Sequence, residues 1–176
     1  MEMEILYGIQ GIHTEVLNKI MIFLSTIGNA GICWIFLSLT LSVIPRTRKC
    51  GITMLCAMAL TFLTGNIILK NLIARQRPCA VDTSVALLIP FPSEYSFPSG
   101  HTSNGITASV TLFLYYKKAG VIAILAALMI AFSRLYLFVH YPTDILGGII
   151  LGIIDACVIY YIFKFREKNK TDAMAA

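Results

Sequence analysis

The sequence predicts an all-α integral membrane protein, a bundle of about five transmembrane helices with an amphipathic interfacial segment at the N-terminus. Of the 176 residues, 57% are hydrophobic and 13% are charged, and the mean hydropathy is +0.79. Soluble domains carry about 25% charged residues, so this chain has too little charge to cover a water-exposed surface. The apolar residues fall into stretches of spanning length, and a single membrane-embedded domain accounts for residues 1–176.

The N-terminal segment is predicted to lie in the membrane interface. Residues 4–27 are apolar at roughly the period of a helix, with a polar face, and Gly11 interrupts the pattern. We therefore assign residues 1–28 to one or two interfacial helices, with a further span inside residues 4–27 as the alternative. The first residues are acidic rather than basic, so no cleaved signal peptide is expected.

Five apolar segments follow the interfacial segment. Gly28-Asn29-Ala30-Gly31 precedes the first of them, and Pro45 ends it. Residues 70–98 are polar and mixed, and a loop of this length between helices is uncommon without a function. The predicted spans are residues 32–45, 51–69, 99–116, 119–139 and 145–163.

The basic residues assign the two sides of the membrane. Because successive loops alternate between the two faces, nine of the 14 lysines and arginines fall on one side. By the positive-inside rule this side is the cytoplasm, which makes residues 164–176 a cytoplasmic tail. The histidines then face outward, and we expect a multi-pass protein of the cell membrane with an extracytoplasmic site. The nine residues are Arg46, Arg48, Lys49, Lys117, Lys118, Lys164, Arg166, Lys168 and Lys170.

Charge and cysteine content argue against two other classes of protein. The net charge is +5, but the basic residues lie in short clusters between apolar segments, so they indicate membrane topology and not nucleic-acid binding. The five cysteines show no paired spacing, which argues against a disulfide framework or a zinc site. The sequence leaves the oligomeric state open.

Residues 96–104, Ser-Phe-Pro-Ser-Gly-His-Thr-Ser-Asn, carry a turn-forming stretch directly into an apolar segment. Pro98 presets a helical φ, Ser99 can cap, and Gly100 lets a ligand approach the unpaired N–H groups of a helix start. This pattern predicts an anion cradle. His101 lies at the edge of this anion cradle and can hold or release a proton near neutral pH. An ordinary capped helix with a chance histidine is the alternative.

Three polar clusters fall at the outer ends of the predicted helices. Ionisable groups near membrane depth are costly, so converging cations and histidines need an anion, and an oxyanion fits best. No acidic cluster suited to Mg²⁺ lies nearby in the sequence, which predicts a site without a metal. The clusters are Lys70 with Arg77-Pro78, then Ser99-Gly100-His101, then Ser133-Arg134 with His140 and Asp144.

With their neighbours, the three clusters resemble the three-part signature of the type 2 phosphatidic-acid phosphatase superfamily. The parts are KNLIARQRP at residues 70–78, PSGH at 98–101 and SRLYLFVHYPTD at 133–144. All three occur in order and without a gap, so residues 70–144 cover the family's catalytic core. Members include membrane lipid phosphatases and soluble vanadium-dependent haloperoxidases.

The resemblance implies a role for each matching residue. His140 resembles the nucleophile that forms a phosphohistidine, and Asp144 would fix its tautomer. His101 resembles the general acid that protonates the leaving oxygen and then the base that activates water. No metal or other cofactor is implied, since a phosphate clamp and two histidines suffice for phosphoryl transfer. The implied clamp is Lys70, Arg77, Ser99, Gly100 and Arg134.

The substrate implied by the resemblance is a membrane lipid phosphate whose tail stays in the bilayer. Small bacterial members of the family suggest undecaprenyl diphosphate, with a broad-range phosphatase of phosphatidic acid or phosphatidylglycerol phosphate as the alternative. A non-catalytic lipid-binding membrane protein is the alternative from another class. A haloperoxidase is disfavoured because those relatives are soluble.

Several polar residues lie outside the motifs. We expect Arg75 to face lipid headgroups and His13 to be solvated at the interface. Asp155 lies eleven positions after Asp144, close to three helical turns, and is expected to anchor a buried polar network. Asn66 either orients the motif lysine one turn later or bonds another helix.

Overall fold

The computed structural model describes residues 1–175, with the side chains of 170, 171 and 173–175 excepted, and these residues form nine α-helices and no strand. Residue 176, the last of the predicted tail, lies outside the described residues. A 3₁₀ turn over Asn29–Gly31 precedes α3, and a π-helix over Phe62–Leu69 joins α4 to α5. The helices are α1 Glu2–Gln10, α2 Glu15–Ile27, α3 Ile32–Val43, α4 Arg48–Thr61, α5 Lys70–Ile73, α6 Pro78–Val81, α7 Gly100–Tyr115, α8 Lys117–Tyr136 and α9 Pro142–Ala175.

The described helices include three runs that are long and apolar enough to cross a membrane: Arg48–Val81, Lys117–Tyr136 and Pro142–Asn169. The run Glu15–Ile27 qualifies only together with Asn29–Val43, across a bend of 44°, and would make a fourth span. With 16 residues, α7 is shorter than these runs. The chain is therefore an all-helical, multi-pass membrane protein, while the finer number of five spans stays a prediction.

The N-terminal helices pack against the end of α8. The side chain of Leu6 is fully buried in a cluster with Tyr136 and Phe138. The Gln10 amide donates to the Tyr136 carbonyl oxygen at 3.1 Å, and the His13 ring stacks on the Tyr136 ring with centroids 4.0 Å apart. Expected to be solvated, His13 is instead half-buried in a protein contact. The segment assigned to the interface therefore covers part of the bundle.

The central helix, α7, lies closely against α9. A Cβ at Gly148 would lie 3.0 Å from the Ser99 carbonyl oxygen, and one at Gly152 would lie 2.8 Å from the Ser103 carbonyl oxygen. Both helices can approach only because these positions lack side chains. The approach places the start of α7 beside the start of α9, where the Ser99 N–H donates to the Asp144 carbonyl oxygen at 3.1 Å.

Asp155 anchors a buried polar network at the middle of α9, as expected. Its Oδ2 accepts hydrogen bonds from the Thr61 hydroxyl at 2.9 Å and from the Thr64 hydroxyl at 3.0 Å. The Thr61 hydroxyl also lies 2.7 Å from the Thr107 hydroxyl of α7. The network therefore ties three helices together where the chain passes from α4 into the π-helix. Buried polar groups of this kind persist when each has a partner.

The segment between α5 and α7 folds back over the ends of the helices. Helix continues to Ile73, beyond the start predicted for the polar segment at residue 70, and Ala74 then ends it with a φ of 48°. The Ser96 N–H donates to the Arg75 carbonyl oxygen at 2.8 Å, and the Phe97–Pro98 peptide bond is cis. These contacts bring the second half of the segment back beside the arginine motif.

Candidate active site

A cavity of about 670 Å³ lies where the three motifs meet. Its wall also includes the bend between α2 and α3 and residues 88–90 and 92–94 of the long segment. Ser99 and Asp144 do not line it, because both are fully buried behind the wall. Six of the eight predicted site residues line the cavity, namely Lys70, Arg77, Gly100, His101, Arg134 and His140.

His140 lies in the short turn between α8 and α9 and is 1% exposed. Arg77 Nη1 donates to the Val139 carbonyl oxygen at 2.8 Å and lies 3.0 Å from His140 Nε2. Burial and the neighbouring Arg77 charge together lower the pKa of His140 to about 3, against the raising effect of Asp144. The imidazole is therefore neutral near pH 7, and a neutral ring keeps the lone pair that a nucleophile requires.

Asp144 lies behind the histidine, on its other ring nitrogen. Its Oδ2 is 3.4 Å from His140 Nδ1, and it accepts from the Tyr141 N–H at 2.8 Å and from the Ser96 hydroxyl. These donors fix the carboxylate, so it favours the tautomer with a proton on Nδ1 and a lone pair on Nε2. Ser96 was not predicted, although it opens the polar stretch that precedes the second motif.

Arg75 holds the second oxygen of the same carboxylate. Its Nη1 donates to Asp144 Oδ1 at 2.7 Å, and its Nη2 donates to Glu2 Oε2 at 2.6 Å. Glu2 in turn accepts from the Thr143 hydroxyl at 2.7 Å, and the guanidinium lies 3.9 Å above the Tyr141 ring. The expectation that Arg75 faces lipid headgroups is therefore wrong. In the sequence, only the position of Arg75 two residues before Arg77-Pro78 indicates that it belongs to the site. No pattern near Glu2 indicates a role there.

Replacing Arg75 with methionine is expected to lower kcat about 10-fold and leave KM nearly unchanged, since partners behind a reactive group typically contribute at this scale. The physical reason is that Asp144 would lose the donor at Oδ1 and hold the imidazole less firmly. Glu2→Gln, which removes only a charge, should have a smaller effect. Steady-state kinetics in detergent, with exposed Arg166→Met as the matched control, would check this. A wild-type kcat in Arg75→Met would contradict the positioning role.

His101 and Arg134 both contact the end of α2. His101 Nε2 lies 3.0 Å from Asn29 Oδ1 and 3.2 Å from the Ser25 carbonyl oxygen. Arg134 Nη1 donates to the Ser25 hydroxyl, and the Arg134 side chain is almost entirely buried. Both acceptors require His101 to carry its proton on Nε2, as a general acid would. Ser25 and Asn29 were missed, because nothing near them in the sequence marks a site.

The remaining clamp residues take different positions. The Lys70 ammonium pairs with the Glu94 carboxylate, and this hydrogen bond and charge lower the pKa of Glu94. Gly100 lines the cavity, and a Cβ there would lie 3.2 Å from Asn66 Oδ1. The Ser99 hydroxyl accepts from the Thr102 hydroxyl at 3.0 Å, inside the protein. Ser99 thus supports the start of α7 from inside the protein, while Gly100 forms part of the cavity wall.

The geometry groups two histidines and three cations around one cavity. The family model described as PAP2 superfamily matches residues 51–168, which include all three motifs. The chain belongs to the PAP2 superfamily. Among PAP2 relatives, it is 36% identical over 137 residues to an "Undecaprenyl-diphosphatase" of Sulfolobus acidocaldarius, covering 77% of this chain and 66% of that protein.

A second PAP2 relative is "Undecaprenyl-diphosphatase BcrC" of Bacillus subtilis, 29% identical over 95% of this chain and 85% of the relative. Two crystal structures of PAP2 proteins share the fold. One is a phosphatidylglycerolphosphate phosphatase from Bacillus subtilis, with a TM-score of 0.74, 27% identity and coverage of 94% of this chain and 84% of that one. The other is Aquifex aeolicus LpxE, with a TM-score of 0.80, 26% identity and coverage of 91% and 94%. Family and relatives together support a membrane lipid phosphatase.

Proposed function

We propose that this PAP2 protein hydrolyses undecaprenyl diphosphate to undecaprenyl phosphate and orthophosphate at the outer face of the cell membrane. The observation that carries the proposal is the pair of histidines on one cavity, His140 neutral beside Arg77 and His101 with its Nε2 beside Asn29 and Ser25. The names of the two undecaprenyl-diphosphatase relatives support the choice of lipid.

In the proposed first step, His140 Nε2 attacks the terminal phosphorus of the lipid diphosphate. A nitrogen–phosphorus bond forms while the bond from this phosphorus to the bridging oxygen breaks. The bridging oxygen keeps the electron pair and takes one proton from His101 in its imidazolium form, so His101 becomes neutral as the lipid monophosphate leaves. Asp144 stabilises the imidazolium that forms at His140, through its position 3.4 Å from Nδ1.

In the second step, water attacks the phosphohistidine and gives a proton to His101. The nitrogen–phosphorus bond breaks, orthophosphate leaves, and both histidines return to their starting protonation. Lys70, Arg77 and Arg134 balance the negative charge on the phosphoryl oxygens in both steps, and charge stabilisation of this kind is most of what phosphoryl transfer requires. In this mechanism His101 transfers each proton, water replenishes it, and the protein side chains supply every positive charge.

The orientation and the lipid class follow from different observations. The proposed outward direction rests on the nine basic residues that the sequence places on the opposite side. The lipid class rests on the cavity being lined both by cations and by the apolar residues Leu88, Ile89 and Phe62, which suits a phosphorylated headgroup on an apolar chain. A broad-range phosphatidic acid or phosphatidylglycerol phosphate phosphatase is the second candidate, since one PAP2 structure is of a phosphatidylglycerolphosphate phosphatase.

Phosphate release by the purified protein in detergent tests the proposal. With EDTA present, we expect release from undecaprenyl diphosphate at a higher kcat/KM than from phosphatidic acid or phosphatidylglycerol phosphate. Orthovanadate should inhibit, because its trigonal-bipyramidal form resembles the transition state. Equal rates on all three lipids would favour the broad-range alternative, and loss of activity with EDTA would contradict the metal-free mechanism. No release from any lipid would favour the non-catalytic binding protein.

A further inference from the structure

The cavity has a second polar region, beside His101, that the proposed mechanism does not use. Two amides lie there, Asn66 from the π-helix and Asn104 from α7. Asn104 follows His101 by three residues, so the two side chains share one face of the helix. Neither amide makes a hydrogen bond to another described residue, although Asn104 is 8% exposed.

The positions of both amides are fixed by close packing. A Cβ at Gly31 would lie 3.5 Å from Asn104 Nδ2, so the left-handed turn before α3 brings the backbone against this amide. A Cβ at Gly100 would lie 3.2 Å from Asn66 Oδ1. Asn66 lies within the π-helix, and π-helical turns within helices frequently occur at functional sites. Both amides therefore face the cavity from backbone that has little freedom.

Arg134 adds an unsatisfied donor to the same region. Its side chain is 4% exposed, and its Nε has no hydrogen-bond partner among the described residues. Its Nη1 donates to Ser25, on the same bend that holds His101 through Asn29. A buried guanidinium N–H without a partner is costly. Arg134 also lines the cavity, so an anion there would pair with the charge of this guanidinium.

The place of these donors relative to the general acid decides what they would bind. A general acid lies next to the leaving oxygen, so groups beside His101 face the leaving group and not the phosphoryl group transferred to His140. The leaving group of a lipid monophosphate is an alcohol, which needs one proton and no further donor. The leaving group of a lipid diphosphate is itself a phosphate, whose two remaining oxygens require donors.

We propose that Asn66 and Asn104, together with the guanidinium of Arg134, bind the lipid-linked phosphate of a diphosphate substrate and thereby select lipid diphosphates over lipid monophosphates. This inference rests on the proposed function. Amide N–H groups and a guanidinium donate to that phosphate while the bond to the bridging oxygen breaks and His101 protonates this oxygen. The monophosphate product then leaves the region with its alkyl chain.

The test measures kcat/KM of wild type, Asn66→Leu and Asn104→Leu on undecaprenyl diphosphate and on phosphatidic acid. Each substitution keeps the number and branching of the side-chain heavy atoms and removes the donors. We expect kcat/KM on the diphosphate to fall about 10-fold or more, the scale of a hydrogen bond to a charged group. On phosphatidic acid it should change less than about 3-fold, since the alcohol leaving group has no charged phosphate oxygens for these donors. Retained phosphatidic acid hydrolysis would also show that each variant is folded.

Asn71→Leu is the matched control, because Asn71 is an exposed asparagine on α5 whose amide donates to the Ile67 carbonyl oxygen at 2.7 Å. The Asn71→Leu substitution should leave kcat/KM unchanged on both undecaprenyl diphosphate and phosphatidic acid. A second measurement uses methylenediphosphonate as an inhibitor of phosphatidic acid hydrolysis, and its Ki should rise about 10-fold in Asn104→Leu.

Equal losses on both lipids with an unchanged Ki for methylenediphosphonate would overturn the selection of diphosphates. A wild-type protein that hydrolyses phosphatidic acid but not undecaprenyl diphosphate would contradict the proposed substrate instead. In that case the methylenediphosphonate Ki would still decide the role of the two amides. The two failures are therefore distinguishable.

Discussion

Replacing His140 with alanine is expected to abolish turnover on every lipid phosphate, with a loss of about 10⁴-fold or more, as for other covalent nucleophiles. The reason is that no other nucleophilic side chain replaces the neutral Nε2 that lies 3.0 Å from Arg77 Nη1. Mixing the wild-type protein with a ³²P-labelled lipid phosphate and quenching with alkali should trap an alkali-stable, acid-labile phosphohistidine. His140→Ala should trap none.

Asp144→Asn is a second variant, and its effect on turnover is expected to be smaller than that of His140→Ala. It keeps the size of the side chain and the contacts from Tyr141 N–H and Ser96, but it removes the charge that faces Nδ1. We expect a large loss that still leaves measurable turnover, because the imidazole remains present but is less well oriented. Normal turnover in His140→Ala would overturn the assignment of the nucleophile, whatever the turnover of Asp144→Asn.

Replacing Arg77 with lysine is expected to lower kcat about 100-fold or more, the scale found when one charged or oxyanion-binding donor is lost. Lysine keeps the positive charge but lacks the planar fork, and Arg77 uses that fork in several directions at once. Nε donates to the Glu94 carbonyl oxygen at 2.7 Å, while Nη1 reaches both the Val139 carbonyl oxygen and His140. A single ammonium cannot keep these bonds and also bind a phosphoryl oxygen.

Phosphate release and the Ki of orthovanadate should both be measured for Arg77→Lys. The Ki is expected to rise with the fall in kcat, because vanadate reports binding of the transition-state geometry. Arg48→Lys is the matched control, since Arg48 starts α4 at a distance in sequence from every motif. A kcat for Arg77→Lys above half of the wild-type value would show that charge alone accounts for this residue.

The motifs made most of the site predictable from the sequence. Their residues lie at the ends of helices, and helix ends are readable from Pro98, Gly100 and the apolar segments that follow. The convergence of Lys70, Arg77, Gly100, His101, Arg134 and His140 on one cavity follows from a compact bundle and was expected. The anchoring role of Asp155 was equally readable, because a carboxylate inside an apolar helix needs buried partners.

The parts that the sequence did not reveal depend on contacts between distant segments. Glu2 reaches Arg75 across 73 positions, and Ser25 reaches Arg134 across 109 positions, with no local pattern to mark either pair. The end of α2 could not be placed at the cavity, because the bend before α3 results from packing against His101 and Ile130. The pairing of Lys70 with Glu94 depends on how the long segment folds back.

The network around Asp155 has a consequence for how the protein enters the membrane during synthesis. An aspartate at the centre of a helix opposes insertion by about 2.5–3.5 kcal/mol. Its partners Thr61 and Thr64, and Thr107, which contacts Thr61, all precede it in the chain, so their helices leave the ribosome before α9 does. When α9 enters, hydroxyl donors are already in place in the bilayer to receive the carboxylate. The order of the chain thus matches the order in which these polar groups can be assembled.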